Sequence, residues 1–242
     1  MSAALVTGAG HGIGAAAAVA LARRFDIVVV SDVDADAAAE VAHGVRGAGG
    51  HAVDVHLDVG HEASWQAVRR RLDEAGVVVS AVVNNAFTLT VAPAHELTAE
   101  AWDQQVSVNL GAVYRSVRTF HDTLHAERGS IVNVASVHAV AGFPGHPAYA
   151  AAKGGVVALT RQLAIEYAPS IRVNAVLPGS ILTRAWDRVP EADRQEHLGH
   201  IPLGRFGDPA DVAAAIAFLA GPESSYITAT TLLVDGGLTA SV

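Results

Sequence analysis

Along the chain, short runs that are apolar at consecutive positions alternate with longer alanine-rich stretches of helical spacing. The runs predict strands near 3–7, 26–31, 51–57, 78–84, 129–135, 171–177 and 230–234. The stretches between them predict helices near 12–24, 34–47, 61–75, 98–127, 147–168 and 208–220. "DIVVVSD" at 26–32 is apolar on both parities, which a strand requires when helices cover both faces of a parallel sheet. Regular alternation of strand and helix therefore predicts an α/β fold, a doubly wound parallel sheet. No repeat, low-complexity tract or linker interrupts it, so residues 1–242 are expected to form a single domain. The least regular part, 178–209 with "PGS", "VPEAD" and "GRFGDP", predicts an excursion over one end of the sheet. A substrate lid is expected near 180–207.

Composition narrows the function classes. Although 51% of residues are apolar, no run approaches the roughly 20 needed to cross a bilayer. "MSAALVTGAG" lacks the basic region of a secretory signal. Cysteine is absent, which excludes disulfides and thiolate metal sites and suits a cytoplasmic protein. A net charge of −8 argues against nucleic acid or an anionic membrane as partner, since both need clustered cations. "RRR" at 69–71 reads as a solvated helix face. Of sixteen basic residues only Lys153 is lysine, so a compact, tunable ammonium is expected to matter there.

Three stretches carry candidate chemistry. "TGAGHGIG", Thr7 to Gly14, joins the first strand to the first helix. Glycines there allow a tight turn and let backbone N–H groups and the helix N-terminus approach a pyrophosphate. Eighteen residues past Gly14, Asp32 ends the second strand. Its carboxylate can accept bonds from ribose hydroxyls and repel a 2′-phosphate, favouring NAD over NADP; alternatively it caps the next helix, a task Asp34 could also perform. His11, if protonated, would tolerate a phosphate. Asp58 ends the third strand, where it could meet an adenine amino group or cap the helix starting near His61. Finally, Ser136 closes a strand, Tyr149 follows thirteen residues later, and Lys153 lies one helical turn beyond Tyr149. An ammonium in that position lowers a phenol's pKa and makes Tyr149 a working acid and base.

These motifs, with "NNA", "VSVNLGAVY", "RVNAVLPGSILT" and "LLVDGG", resemble in order and spacing the short-chain dehydrogenase/reductase family over almost the whole chain. The resemblance implies a Rossmann-type fold of about seven parallel strands and a catalytic set of Asn109, Ser136, Tyr149 and Lys153. Tyr149 would exchange the substrate's hydroxyl proton while hydride passes to or from a nicotinamide, and Ser136 would bind the substrate oxygen. Lys153 would hold the nicotinamide ribose, and Asn109 would support a water linking Lys153 to solvent. An asparagine there can also locally disturb its helix. The family likeness assigns the dinucleotide to Gly8, Gly10, His11, Gly12, Ile13, Gly14, Asp32, Asp58, Val59, Asn85, Ala86, Tyr149, Lys153, Pro178, Gly179, Ile181 and Thr183. Family members commonly form tetramers through the helix carrying Tyr149 and its neighbour, so a homotetramer is expected. Small residues in "AYAAAKGGVVALTRQLA" could serve that contact or pack on the protein's own sheet.

Substrate contacts are expected from Phe87, Ser136, His138, Phe143, His146, Tyr149 and Trp186. Arg184, Trp186 and Asp187 on the lid suggest a small sugar, polyol or hydroxy acid. Phe87 stands where the family usually has glycine. A positive φ would strain it; otherwise its side chain can wall the cleft. His197 and His200, three apart, have the spacing of a metal pair but no third ligand at fixed distance. The competing functions are an NADPH-dependent 3-oxoacyl or ketone reductase, and a regulator that binds dinucleotide without turnover.

Overall fold

A computed structural model of the chain describes residues 1–183, 186 and 189–241. Seven parallel strands form one sheet in the order β3-β2-β1-β4-β5-β6-β7. They are β1 (Ser2–Thr7), β2 (Ile27–Asp32), β3 (Ala52–His56), β4 (Val78–Asn84), β5 (Ser130–Val134), β6 (Arg172–Pro178) and β7 (Thr231–Val234). The helices are α1 (Gly12–Leu21), α2 (Ala35–Gly47), α3 (Glu62–Glu74), α4 (Ala99–Val106), α5 (Ala112–Ala126), α6 (Pro147–Glu166), α7 (Glu191–Leu198) and α8 (Pro209–Ala220). The chain winds outward from β1 in both directions, so a crevice opens where β1 and β4 separate their following connections.

The two-sided apolarity of the strands is explained by two cores. On one face Leu5, Val29, Val82, Ile131 and Val173 meet Trp65 of α3, Phe120 and Leu124 of α5, and Val156 and Leu163 of α6. On the other, Val6, Val28, Val30, Val132 and Val176 meet Ala17 and Leu21 of α1, Ala38 of α2 and Ile216 of α8. Alternate residues of one strand thus serve opposite cores. Alanine dominates α1 because α8 packs closely on it, and larger side chains would hold the two apart.

Two elements differ from expectation. The helix predicted as one piece over 98–127 is α4 and α5 joined by a π-helical turn, Ser107–Gly111, with Asn109 buried within it. Arg115 supports this turn by donating to Ser107 O at 3.0 Å and Ser107 Oγ at 3.1 Å. Inside the region expected to be irregular, "EADRQEHL" forms α7. Arg184 and Asp187, assigned to the lid from sequence, lie outside the described residues.

At the opposite end of the sheet from the crevice, Arg172 opens β6 and ties down the end of α8. Its guanidinium donates to the carbonyls of Leu219 (2.9 Å) and Gly221 (3.0 Å) and to Ser224 Oγ (2.8 Å). The last carbonyls of a helix have no partner within it, so one half-buried cation replaces several missing donors. Burial lowers the Arg172 pKa from its ordinary value, but an arginine stays charged. Arg172→Met, which keeps the stem and removes these donors, is expected to cost about 2–4 kcal/mol. Thermal unfolding should show a fall in Tm of roughly 5–10 °C.

Candidate active site

The crevice is floored by the turn after β1. Gly8 and Gly12 have φ of +61° and +54°, a conformation that side chains rarely adopt. Space is limiting as well: a Cβ on Gly14 would lie 2.2 Å from Gly8 O, and one on Gly8 would lie 2.7 Å from the Ala86 Cα. This closeness explains "NNA". Thr7 Oγ1 accepts from the N–H groups of Asn85 and Ala86, each at 3.0 Å, while Asn85 Nδ2 donates to Thr7 O (3.0 Å) and Gly8 O (2.9 Å). Thr7 is a site residue that sequence reasoning quoted without assigning. Its signal was the placement of a hydroxyl just before the first glycine.

Asp32 stands beside this turn, with Oδ2 accepting from Gly10 N at 2.8 Å and Oδ1 from Asp34 N at 3.0 Å. Asp34 caps α2 through Ala37 N, so the choice left open by the sequence falls to Asp34 for the cap and leaves Asp32 facing the crevice. Asp58 does not cap α3, whose first position follows His61; its Oδ1 accepts from Gly60 N at 2.9 Å, and it lines the crevice with Leu57 and Val59. His11 precedes α1 and lines the same wall. A tight turn, a helix N-terminus and a carboxylate at the end of β2 fit a dinucleotide, with pyrophosphate at Gly8–Gly14 and adenosine toward Asp32 and Asp58.

Farther along, the strand ends bring the remaining expected residues together. Pro178 and Gly179 close β6, and a Cβ on Gly179 would meet the Asp235 backbone at 2.8 Å. Ile181 pairs with Gly207 in an isolated bridge, and Thr183 reaches over the glycine turn, its methyl 3.1 Å from a Cβ placed on Gly12. The crevice encloses about 1020 Å³ and is lined by Gly8, His11, Asp32, Ser136, Tyr149 and Lys153 among others.

Ser136 follows β5, and Tyr149 sits in the first turn of α6, hydrogen-bonded to the Ser136 side chain. Lys153 is buried, with Nζ 5.5 Å from the Tyr149 ring centre and donating to Val134 O at 2.7 Å. Here the protonation expected from spacing needs correction. Burial pushes the Tyr149 phenol up to about 12, the Ser136 bond opposing this, and burial brings Lys153 down to about 8. Loss of hydration, which penalises each charged form, outweighs the help one group gives the other. At neutral pH the pair is phenol and ammonium.

Asn109 uses its whole side chain on one residue: Oδ1 accepts from Thr88 N at 3.0 Å and Nδ2 donates to Thr88 O at 2.8 Å. It fixes the chain just after Phe87. Phe87 itself has no positive φ. Its ring is 55% exposed, lines the crevice and meets Tyr149 edge-on at 6.5 Å. Of the two geometries allowed by the sequence, the unstrained wall is the one found.

The substrate end is aromatic. His138 lies 4.5 Å from Phe143, 4.7 Å from His146 and 5.2 Å from Tyr149, between ring centres. Trp186 packs on His197 and Phe206, and its carbonyl accepts from Arg194. His197 is turned onto Ser180 Oγ, so its imidazole serves the lid segment. Among the described residues no cluster of His, Asp or Glu has metal-binding geometry. The lining residues Leu89, Val91, Gln104, Val189 and Leu238 were not anticipated, because nothing in their type separates them from ordinary loop and core positions.

Burial, aided by the field of His146, lowers His138 to about 4. The unfolded chain therefore binds this proton first as pH falls, so the stability given by the neutral ring is complete above about 6.5 and is lost toward 4. Relative to His138→Gln, the wild type should lose urea midpoint as pH falls from about 6.5 to about 4; a gap that stays constant across this range would show that His138 is not buried neutral.

A family model described as enoyl-(acyl carrier protein) reductase matches residues 8–239. The chain is 35% identical over 241 residues to cyclopentanol dehydrogenase of Comamonas testosteroni, covering 98% of this chain and 96% of the relative. It is 41% identical over 240 residues to cis-4-hydroxycyclohexanecarboxylate dehydrogenase of Sinomonas cyclohexanicum, with coverage of 98% and 96%. A Beutenbergia cavernae protein assigned as an NAD(P)-dependent gluconate 5-dehydrogenase, crystallised with NADP, superposes with a TM-score of 0.92 at 36% identity, covering 99% of this chain and 97% of that one.

Proposed function

The chain belongs to the short-chain dehydrogenase/reductase family, NAD(P)-dependent oxidoreductases of alcohol and ketone groups, and from that premise we propose that it oxidises a small cyclic secondary alcohol with NAD. The carrying observation is that Ser136, Tyr149 and Lys153 meet beside a crevice whose substrate end is walled by Phe87, Val91, Phe143 and Trp186. Those walls offer few hydrogen bonds. A polyol with more hydroxyls than His138, His146 and Gln104 can pair would leave the rest unsatisfied, at a cost of about 1–3 kcal/mol each. The sugar, polyol or hydroxy acid expected from Arg184, Trp186 and Asp187 is the second reading, supported by the structural relative assigned as a gluconate 5-dehydrogenase, whereas the walls of Phe87, Val91 and Phe143 support a compact ring. Relatives acting on cyclopentanol and on a hydroxylated cyclohexane ring support this reading.

In the proposed reaction the Ser136 hydroxyl donates to the substrate oxygen, and Tyr149 must first release its own proton to solvent, an ionisation that the buried Lys153 ammonium favours. A bound nicotinamide would supply the hydride acceptor. The Tyr149 phenolate then takes the substrate's hydroxyl proton and returns to phenol. Asn109 acts at one remove, by holding Thr88 and with it the wall that begins at Phe87. The reading of a silent dinucleotide-binding regulator has nothing to support it, since all the proton-handling groups are present and converge. A cytoplasmic homotetramer is the matching proposal for its setting: the chain has no cysteine, and Tyr114, Arg118, His121, Leu159 and Tyr167 line a surface groove between α5 and α6.

Asp32 supports NAD. A carboxylate at the end of β2 repels a 2′-phosphate and can accept bonds from ribose hydroxyls. Because a structural relative binds NADP, this is the residue to change. Asp32→Ser should move the NADP/NAD ratio of kcat/KM toward NADP by roughly ten- to a hundredfold, or about 1.4–2.8 kcal/mol; an unmoved ratio would mean that the choice lies elsewhere.

The reaction itself is tested with cyclopentanol, cyclohexanol and cyclohexanediols, following reduced nicotinamide at 340 nm. Tyr149→Phe should lower kcat by roughly 10³-fold or more while NADH still binds, because general acid and base catalysis is worth at least 10²–10⁴. Equal turnover by the phenylalanine variant would remove Tyr149 from the mechanism.

A further inference from the structure

His138 is chemically unusual for its position. It follows the strand that delivers Ser136, and its backbone N–H donates to Ser136 Oγ at 3.2 Å, while its ring centre lies 5.2 Å from that of Tyr149. Nδ1 is fully buried with no hydrogen-bond partner among the described residues. An imidazole must carry a proton on one nitrogen when neutral. Burying an N–H without an acceptor is worse than burying a lone pair without a donor, so Nδ1 keeps the lone pair and Nε2 keeps the proton. With burial and His146 lowering its pKa to about 4, the ring is neutral in ordinary buffers. What His138 brings to the crevice it lines is therefore one uncharged N–H donor.

Around that donor the walls are apolar or aromatic. Phe143 and Tyr149 flank the ring, and the other polar ring nearby, His146, uses Nδ1 on Pro144 O at 2.7 Å. Among the described residues no side chain or carbonyl receives the His138 proton. The crevice that His138 lines can bring a substrate oxygen to it, beside the oxygen held by Ser136 and Tyr149. Two oxygens on neighbouring ring carbons lie within a hydrogen-bond length of each other and can reach both positions.

We propose that His138 determines specificity by donating from Nε2 to a second oxygen beside the reacting carbinol, so that the substrate is a cyclic vicinal diol and the product an α-hydroxyketone. This rests on the alcohol-oxidising reading above. In the reaction one carbinol C–H bond breaks, with its hydride going to the dinucleotide and the hydroxyl proton to Tyr149. The second hydroxyl emerges unchanged. A hydroxyl oxygen accepts from the neutral imidazole N–H with no change of protonation on either group.

The test compares cyclohexanol with cis- and trans-cyclohexane-1,2-diol in the wild type, His138→Phe and His138→Gln, using saturating NAD and, in parallel, NADP. The quantity read is kcat/KM for the better diol divided by kcat/KM for cyclohexanol within each protein, so that general damage cancels. The wild-type ratio should be at least about tenfold, the value of one hydrogen bond of about 1.4 kcal/mol. It should fall to near one in His138→Phe and partly recover in His138→Gln, which restores an N–H donor. Where phenylalanine overfills the aromatic cluster, His138→Leu replaces it. A wild-type ratio near one, or a high ratio that survives loss of the imidazole, overturns the assignment while leaving the alcohol-oxidising reading intact. No turnover of any of the three alcohols with either dinucleotide, in protein that still binds NADH, overturns both.

Discussion

The Thr7 hydroxyl lies where the ends of β1 and β4 must be held together across the crevice, and the rest of the site follows from that contact. It accepts from two successive N–H groups, Asn85 and Ala86, while the Asn85 amide reaches back to the carbonyls of Thr7 and Gly8. The space left is so small that Gly8 and Gly14 cannot carry a Cβ. With these strand ends locked, Phe87 and Thr88 leave β4 in a fixed direction, and Asn109 receives both backbone groups of Thr88. A continuous line of hydrogen bonds thus runs from the turn suited to phosphate to the wall facing Tyr149. Preorganisation of this kind removes the ordering cost that would otherwise fall on the reaction.

A second constraint is electrical. One end of the crevice carries two carboxylates, Asp32 and Asp58, while the end at Ser136 carries Lys153, His138 and His146 and, among its described lining residues, no acid. Lys153 is the chain's sole lysine and is fully buried. Its retained proton is held by the Val134 carbonyl, a dipole with no competing charge. A guanidinium would need several acceptors in a plane and would not fit at that depth. Tyr149 is held as a phenol by burial, which pushes its pKa up to about 12. The same burial that makes both groups reluctant to ionise alone makes their interaction strong once charge develops.

The architecture was readable from the sequence because strands buried on both faces leave a continuous apolar signal, and because glycines, Asp32 and the Tyr149–Lys153 spacing are tied to local geometry. Only contacts between distant elements could separate Asp32 from Asp34 as the capping residue or show Phe87 unstrained. The opposing effects on Tyr149 were hidden for the same reason: spacing reveals a neighbouring charge, whereas desolvation depends on everything packed around it. The segment expected as a lid was least legible. Its character comes from Trp186, His197 and Phe206 meeting one another, and their separation along the chain carries no periodic signal.

The π turn at Ser107–Gly111 has a consequence for how the chain before and after it can change. One extra residue in a helical turn rotates everything that follows by about 100°. α4 buries only Gln105, whereas α5 buries Val113, Val117, Phe120 and Leu124 against the sheet. Deleting a single residue would restore an ordinary helix. It would also swing either Asn109 or the whole of α5 off its partners. The irregularity is thus protected from both sides, by the amide that holds Thr88 on one and by the aromatic core on the other, and the local cost of a poor helix is set against two packing arrangements that no regular helix could satisfy together.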